Sequence, residues 1–261
     1  MQQKRRTAPP PPKSLALAVL LVGVLVLVIG GRTLWSLIAP DPAEAGRERL
    51  ADAGAALMDQ KPNRAARLAA EAAALFEQTP DGAGLFQATA LSARALQAAG
   101  RSTEAAAALA QAIALRHQGT PDPQGLWHLA ELFFALKRYG LASDYAADAG
   151  QALGDAALYQ AGGEALTAFA GRLAVADARR EAVRLYADAI DMLTKASLEF
   201  EVAQVYERIG ITLAPIDPEG AYAGYVEAIN RLGLMGREDR AEAMVERVRQ
   251  LPQSFLETID E

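Results

Sequence analysis

LADAGAALMDQKPNRAARLAAEAAALFEQTP, residues Leu50–Pro80, holds the pattern that decides the fold. A small residue, Gly54, lies inside one helix, a turn falls near Lys61–Asn63, and a second helix carries alanines at Ala66, Ala70 and Ala73. Spacings of three and four place these alanines on one helix face, where small side chains let a second helix approach closely. The stretch therefore predicts two antiparallel helices pressed together along an alanine seam. One such hairpin cannot bury its apolar face alone, so it needs neighbours of the same kind.

The chain supplies them. ALSARALQAAGRSTEAAAALAQAIAL turns at Gly100 and carries Ala105, Leu109 and Ala112. LWHLAELFFALKRYGLASDYAADA carries Ala130, Phe133, Tyr139, Ala142, Ala146 and Ala149. LTAFAGRLAVADARREAVRLYADAI repeats the theme at Ala170, Leu173, Ala182, Tyr186 and Ala189. FEVAQVYERIG with PEGAYAGYVEAI does so at Ala203, Tyr206, Gly210, Ala221, Tyr225 and Ala228. The expected architecture is all-α, a solenoid of stacked helical hairpins. The segment from Glu238 to Leu251 is dense in charge and reads as the solvating cap that a solenoid needs at an open end.

Leu129, Ala130, Phe133, Tyr139, Ala142 and Ala149, and again Val202, Ala203, Tyr206 and Gly210, resemble the tetratricopeptide (TPR) repeat, over about residues 46–250. The resemblance implies a TPR-like right-handed superhelix whose first helices line a concave groove that binds protein. The sequence departs from the family in spacing. The second-helix anchors Ala66, Ala105, Ala142, Ala182 and Ala221 lie 39, 37, 40 and 39 residues apart, against a family period of about 34. Longer helices or loops must absorb the excess. Ile211–Gly220, with Pro215 and Pro218, is expected to break the helical run, and Gly162-Gly163 to break or delay another helix. A looser armadillo- or HEAT-type stack stands as the alternative.

Ahead of the repeats, Leu15–Gly31 reads LALAVLLVGVLVLVIGG, without charge or proline. Extended by Leu34, Trp35, Leu37 and Ile38, it approaches the thickness of a bilayer core, about 30 Å. Lys4, Arg5, Arg6 and Lys13 precede it, and cations stay on the cytoplasmic side. The expected division is a basic, proline-rich cytoplasmic tail over 1–13, one transmembrane helix over 14–39, a linker over 40–45, the repeat domain over 46–251 and a tail over 252–261. The protein would then be a single-pass inner-membrane protein with its C-terminal domain in the periplasm. Ala43-Glu44-Ala45 offers a rival, a cleaved signal peptide, but the apolar run is longer than such peptides use.

Composition narrows the chemistry. The chain has 26 Lys plus Arg and 32 Asp plus Glu, net −6, with five of the cations before residue 33 and no acid there. An acidic domain repels phosphate backbones, so nucleic acid is excluded as a partner. No cysteine is present, which removes disulfides and thiolate chemistry. The two histidines, His117 and His128, lack partners at metal-ligand spacing. No phosphate-binding glycine loop or nucleophile elbow occurs, and the pair Asp188 and Asp191 reads as solvated surface. No catalytic, cofactor or metal site is expected, and the chain reads as a non-enzyme.

The groove is the remaining functional surface. Carried over from the repeat family, the inward residues are Gln87, Arg94 and Gln97, then Trp127, Glu131 and Phe134, then Thr167, then Phe200, Gln204 and Arg208. Phe133 is expected to point into its hairpin while Phe134 faces the groove. Trp127 and Phe134 serve either as anchors for a bound peptide or helix or as packing against the next hairpin, and helix phase alone does not separate these. Two functions follow: a membrane-anchored scaffold or adaptor that binds another envelope or membrane protein through its groove, or a structural accessory subunit of a larger membrane complex.

Overall fold

The computed structural model describes residues 41–119 and 122–257. The span expected over 14–39 lies outside the described residues, and among these no helix is long and apolar enough to cross a membrane. Among the described residues the chain is all-α, a series of helical hairpins. The hairpins are α1 (Pro42–Met58) with α2 (Pro62–Phe76), α3 (Gly82–Ala98) with α4 (Ser102–Arg116), α5 (Pro123–Ala135) with α6 (Tyr139–Asp155), α7 (Tyr159–Val175) with α8 (Arg179–Lys195), and α9 (Glu199–Leu213) with α10 (Pro218–Leu234). The cap α11 (Glu238–Arg249) and a single turn, α12 (Gln253–Leu256), close the described chain. The excess over the family period sits in the helices, several of which run to 17 residues.

Local sequence sets where the helices begin. Asp41, Asp81, Asp122 and Asp217 each precede a helix and accept a backbone N–H from its first turn at 2.8 to 3.0 Å. Three of these caps are followed directly by proline at a position whose N–H would be unpaired anyway. α1 starts at Pro42, so residues 42–45, expected as linker and as the small-x-small site, form its first turn.

Most helices end in one repeated device. Gln60, Gly100, Lys137, Ala157, Asp177, Ser197 and Gly236 take φ between +56° and +75°. The next residue's N–H then reaches back five residues, as in Lys61 to Ala56 and Ala178 to Leu173, both at 2.9 Å. This is the Schellman closure, and the residue that completes it is also the N-cap of the next helix. Two helices thus reverse direction with three residues between them.

Alanine and glycine carry the seams, with two corrections to the sequence reading. In α2, Ala66 is buried, but Ala70 is exposed and Ala73 only half-buried; Ala65, Ala69, Ala72 and Phe76 are buried instead. α2 packs against both α1 and α3, so its buried stripe is wider than one three-and-four series and turned from it. Gly162-Gly163 does not break a helix, because the pair lies within α7 where α8 comes closest. A Cβ on Gly163 would stand 2.6 Å from Leu193 Cγ, and one on Gly162 would stand 2.6 Å from Met192 Sδ. The break expected after Gly210 comes at residues 214–217, between Leu213 and Pro218.

The core falls into three clusters. The first two hairpins share Leu50, Phe76, Leu91 and Leu96. A central cluster runs from Phe86 through Leu129, Phe133, Leu173 and Tyr186 to Val205. Ala203, Tyr225, Leu232 and Met244 form the third, under the cap. Met244 is the one buried residue of α11, as a solvating helix requires.

Candidate functional site

The first helices of successive hairpins line common depressions. Arg47, Leu50 and Gly54 of α1, Gln87 and Leu91 of α3, and Gln124 and His128 of α5 line one depression. Further along, Phe134 of α5, Arg172 and Val175 of α7 and Arg208 of α9 line another. Of the positions read from the sequence as groove, Gln87 lines the first depression and Phe134 and Arg208 the second; their surroundings fall into two groups.

The first group is a tie across three hairpins. Glu131 on α5 accepts hydrogen bonds from Arg172 on α7 through both carboxylate oxygens, one at 3.0 Å. Its other neighbour is Arg94 on α3, whose Nη2 lies 3.6 Å away. The Arg94 Nη1 also lies 3.4 Å from His128 Nδ1. Burial lowers the Arg94 pKa, opposed by the Glu131 charge and reinforced by Arg172. Burial likewise pushes His128 down to about 4, with Arg94 adding to the shift and Glu131 resisting it. His128 is thus neutral at pH 7 and able to accept from Arg94. Gln97, one turn beyond Arg94, is half-buried.

Two rings, Phe134 and Phe169, face the Arg172 guanidinium. Arg172 lies 4.5 Å from the ring centroid of Phe134 and 5.2 Å from that of Phe169. Phe134 meets Phe169 edge-on at 5.7 Å, and Trp127 meets it at 5.6 Å. Phe133 points into its own hairpin and stacks on Tyr145 at 5.2 Å. Trp127 and Phe134 are both half-buried, packed on the next hairpin with part of each ring left open.

The second group lies on α9. Phe200 is half-buried beneath Arg237 and Arg240, whose guanidinium carbons lie 5.4 and 5.7 Å from its centroid. Gln204 and Arg208 follow at one-turn intervals. Arg208 is exposed and is the shared wall of three neighbouring depressions. It lies near Tyr186, whose pKa is raised mainly by burial, with the Arg208 charge opposing the shift.

Helix phase did not reveal Phe169, Arg172, Val175, Tyr186 or Arg240. Only Thr167 represented α7 in the sequence reading, whereas Arg172 reaches the groove through the length of its side chain from a half-exposed position. Among the described residues no group of three or more His, Asp or Glu is placed to hold a metal ion.

No protein-family model matches the chain, and no curated protein does. Among solved structures, the chain is similar to a kinesin light chain of Podosopora anserina with nearly identical TPR-like repeats. That match has 17% identity and a TM-score of 0.45, covering 81% of this chain and 96% of that one. It is also similar to BtubC (BKLC) of P. vanneervenii, at 16% identity and a TM-score of 0.40, covering 79% and 90%.

Proposed function

We propose that the chain is a membrane-tethered scaffold that binds another envelope or membrane protein along its concave face. The observation that supports this reading is the depression shared by α5, α7 and α9, where the partly open ring of Phe134 lies against Arg172 and beside Arg208. Rigid helices present these groups, half-exposed aromatics supply area at low conformational cost, and arginines supply direction. Stacked-hairpin folds display extended concave surfaces of this kind to partners. The apolar run Leu15–Gly31 and its basic flank support confinement to the inner membrane with the repeat domain in the periplasm. Confinement raises the local concentration of a membrane partner, so a weak groove contact suffices.

The test is site-specific photocrosslinking in native membranes, with the crosslinker at Phe134 on the inner surface and at exposed Arg64 on α2 as control. An adaptor gives a defined product from Phe134 and none from Arg64, and the product diminishes with Trp127→Ala. Equal products from both positions overturn the groove. Sequencing the N-terminus of the recovered protein tests the anchor, since a mature start near Gly46 removes it.

A further inference from the structure

The three depressions that meet at Arg208 combine two features that the fold does not require. The first is an exposed apolar ledge. Val175, the last residue of α7, is 91% exposed, and Ile211 on α9 is 43% exposed, each lining a depression that Arg208 also lines. The half-buried ring of Phe134 continues the ledge. The second is unneutralised positive charge. Arg208 and Arg240 line one depression together with Gln204 and Tyr186, and neither lies within 4.0 Å of a carboxylate among the described residues. Glu207, the acid in that depression, is paired with Arg247 at 3.5 Å. Glu164 and Glu201 line the neighbouring depression, with Thr167, Ala168, Leu193 and Val205. Arg237 adds a further cation over Phe200.

We infer that this part of the groove seats an acidic amphipathic segment of a protein partner, its apolar side chains on Val175, Ile211 and Phe134 and its carboxylates on Arg208 and Arg240. The inference rests on the groove reading above and narrows it to a chemistry. Charge complementarity selects the occupant. Beyond residue 40 the chain is strongly acidic, yet Arg208 and Arg240 share a depression whose one acid, Glu207, is held by Arg247, so their guanidiniums stay open to an incoming carboxylate even with Glu164 and Glu201 in the adjoining depression. Guanidinium forks match carboxylates in a planar, paired geometry. A free phosphate would satisfy the arginines but leave the apolar ledge in water, whereas a segment with acids beside leucines or valines covers both.

The experiment is fluorescence anisotropy of the full-length chain in detergent with a labelled helical peptide. The peptide bears leucine on one face and glutamate on the flanks, and its glutamine counterpart is the comparison. The glutamate peptide is expected to bind about tenfold tighter, the equivalent of one charge-assisted contact. That preference is expected to disappear in Arg208→Gln/Arg240→Gln and near 1 M salt, where charges are screened within about 3 Å. Both arginines are exposed, and a circular dichroism melt of the variant confirms folding. Absence of binding, or a preference that survives in the double variant, overturns the inference. So does complete displacement by millimolar inorganic phosphate, which marks a small-anion site. If the two peptides bind equally and Phe134→Ala with Val175→Ser weakens both, the groove stands and the acidic preference falls. If no groove substitution alters binding, the groove reading falls with it.

Discussion

Replacing Gly163 by alanine tests how α7 and α8 are held together. In an isolated helix the change is favourable by about 1 kcal/mol, because glycine is a poor helix former. Here the added Cβ would stand 2.6 Å from Leu193 Cγ, 2.7 Å from Leu193 Cδ2 and 3.3 Å from the backbone oxygen of Ala189. Leu193 is 1% exposed and cannot swing into solvent, so the helices must separate. Overpacking of this kind costs about 1–3 kcal/mol. With the contact near the severe end, the net loss is about 1–2 kcal/mol, a fall in Tm of roughly 2–8 °C for a chain this size. Gly54→Ala is the control, since its Cβ would meet nothing within 4 Å. The same chemical change should there raise Tm by roughly 2–4 °C through helix propensity alone. Thermal melts followed at 222 nm read both variants. If Gly163→Ala melts at or above the parent temperature, the close approach of α7 and α8 is refuted.

Three further outcomes follow from features already described. Ala157 pays for a positive φ of 59° without the freedom of glycine, so Ala157→Gly should stabilise by about 0.5–1 kcal/mol, and an unchanged or lower midpoint in denaturant would contradict this. Glu131→Gln leaves the partly buried Arg94 facing Arg172 without an anion and should cost about 1–3 kcal/mol, with an intact far-ultraviolet spectrum; a loss under about 0.5 kcal/mol would show that the tie is merely superficial. His128, depressed to about 4 in the fold from an ordinary 6.5, binds its proton more readily when unfolded, so its contribution is full above pH 6.5 and is lost as pH falls toward 4. Unfolding free energy should therefore drop by on the order of 1–3 kcal/mol across that window more steeply in the parent than in His128→Phe, and parallel profiles would refute it.

What the sequence disclosed depended on whether a pattern had one physical cause. Ala142, Ala146 and Ala149 are all buried where two helices approach closely, whereas the same spacing at Ala66, Ala70 and Ala73 leaves Ala70 exposed, because α2 packs against helices on two sides and its buried stripe turns away from that series. Charge density in α11 marked a cap. Glycine has several causes, and this is where the reading slipped. Gly162 and Gly163 read in sequence as breaking or delaying a helix, whereas inside α7 they serve contact. Conversely, five of the seven left-handed turn residues are not glycine, so nothing in Lys137, Ala157 or Ser197 announces a turn. In the groove, phase placed Glu131 and Arg208 on the inner surface, but it did not show that the Glu131 carboxylate is shared between two arginines while Arg208 has no such partner. That difference depends on the reach of Arg172, which is a matter of side-chain length across a curved surface.

The second hairpin belongs to two cores at once. Ala88, Leu91 and Ala95 pack toward the first hairpin, while Phe86, Ala90 and Ala112 pack toward the third. A load pulling the N-terminal end away from the rest would therefore be borne by the layer between the second and third hairpins, where Phe86 and Ala90 meet Leu126 and Leu129. Under tension from a tethered end, the molecule should extend in steps, shedding the first hairpin pair as a block before the central hairpins yield. Pulled from its two ends, the described chain would then lengthen in graded steps rather than in a single rupture.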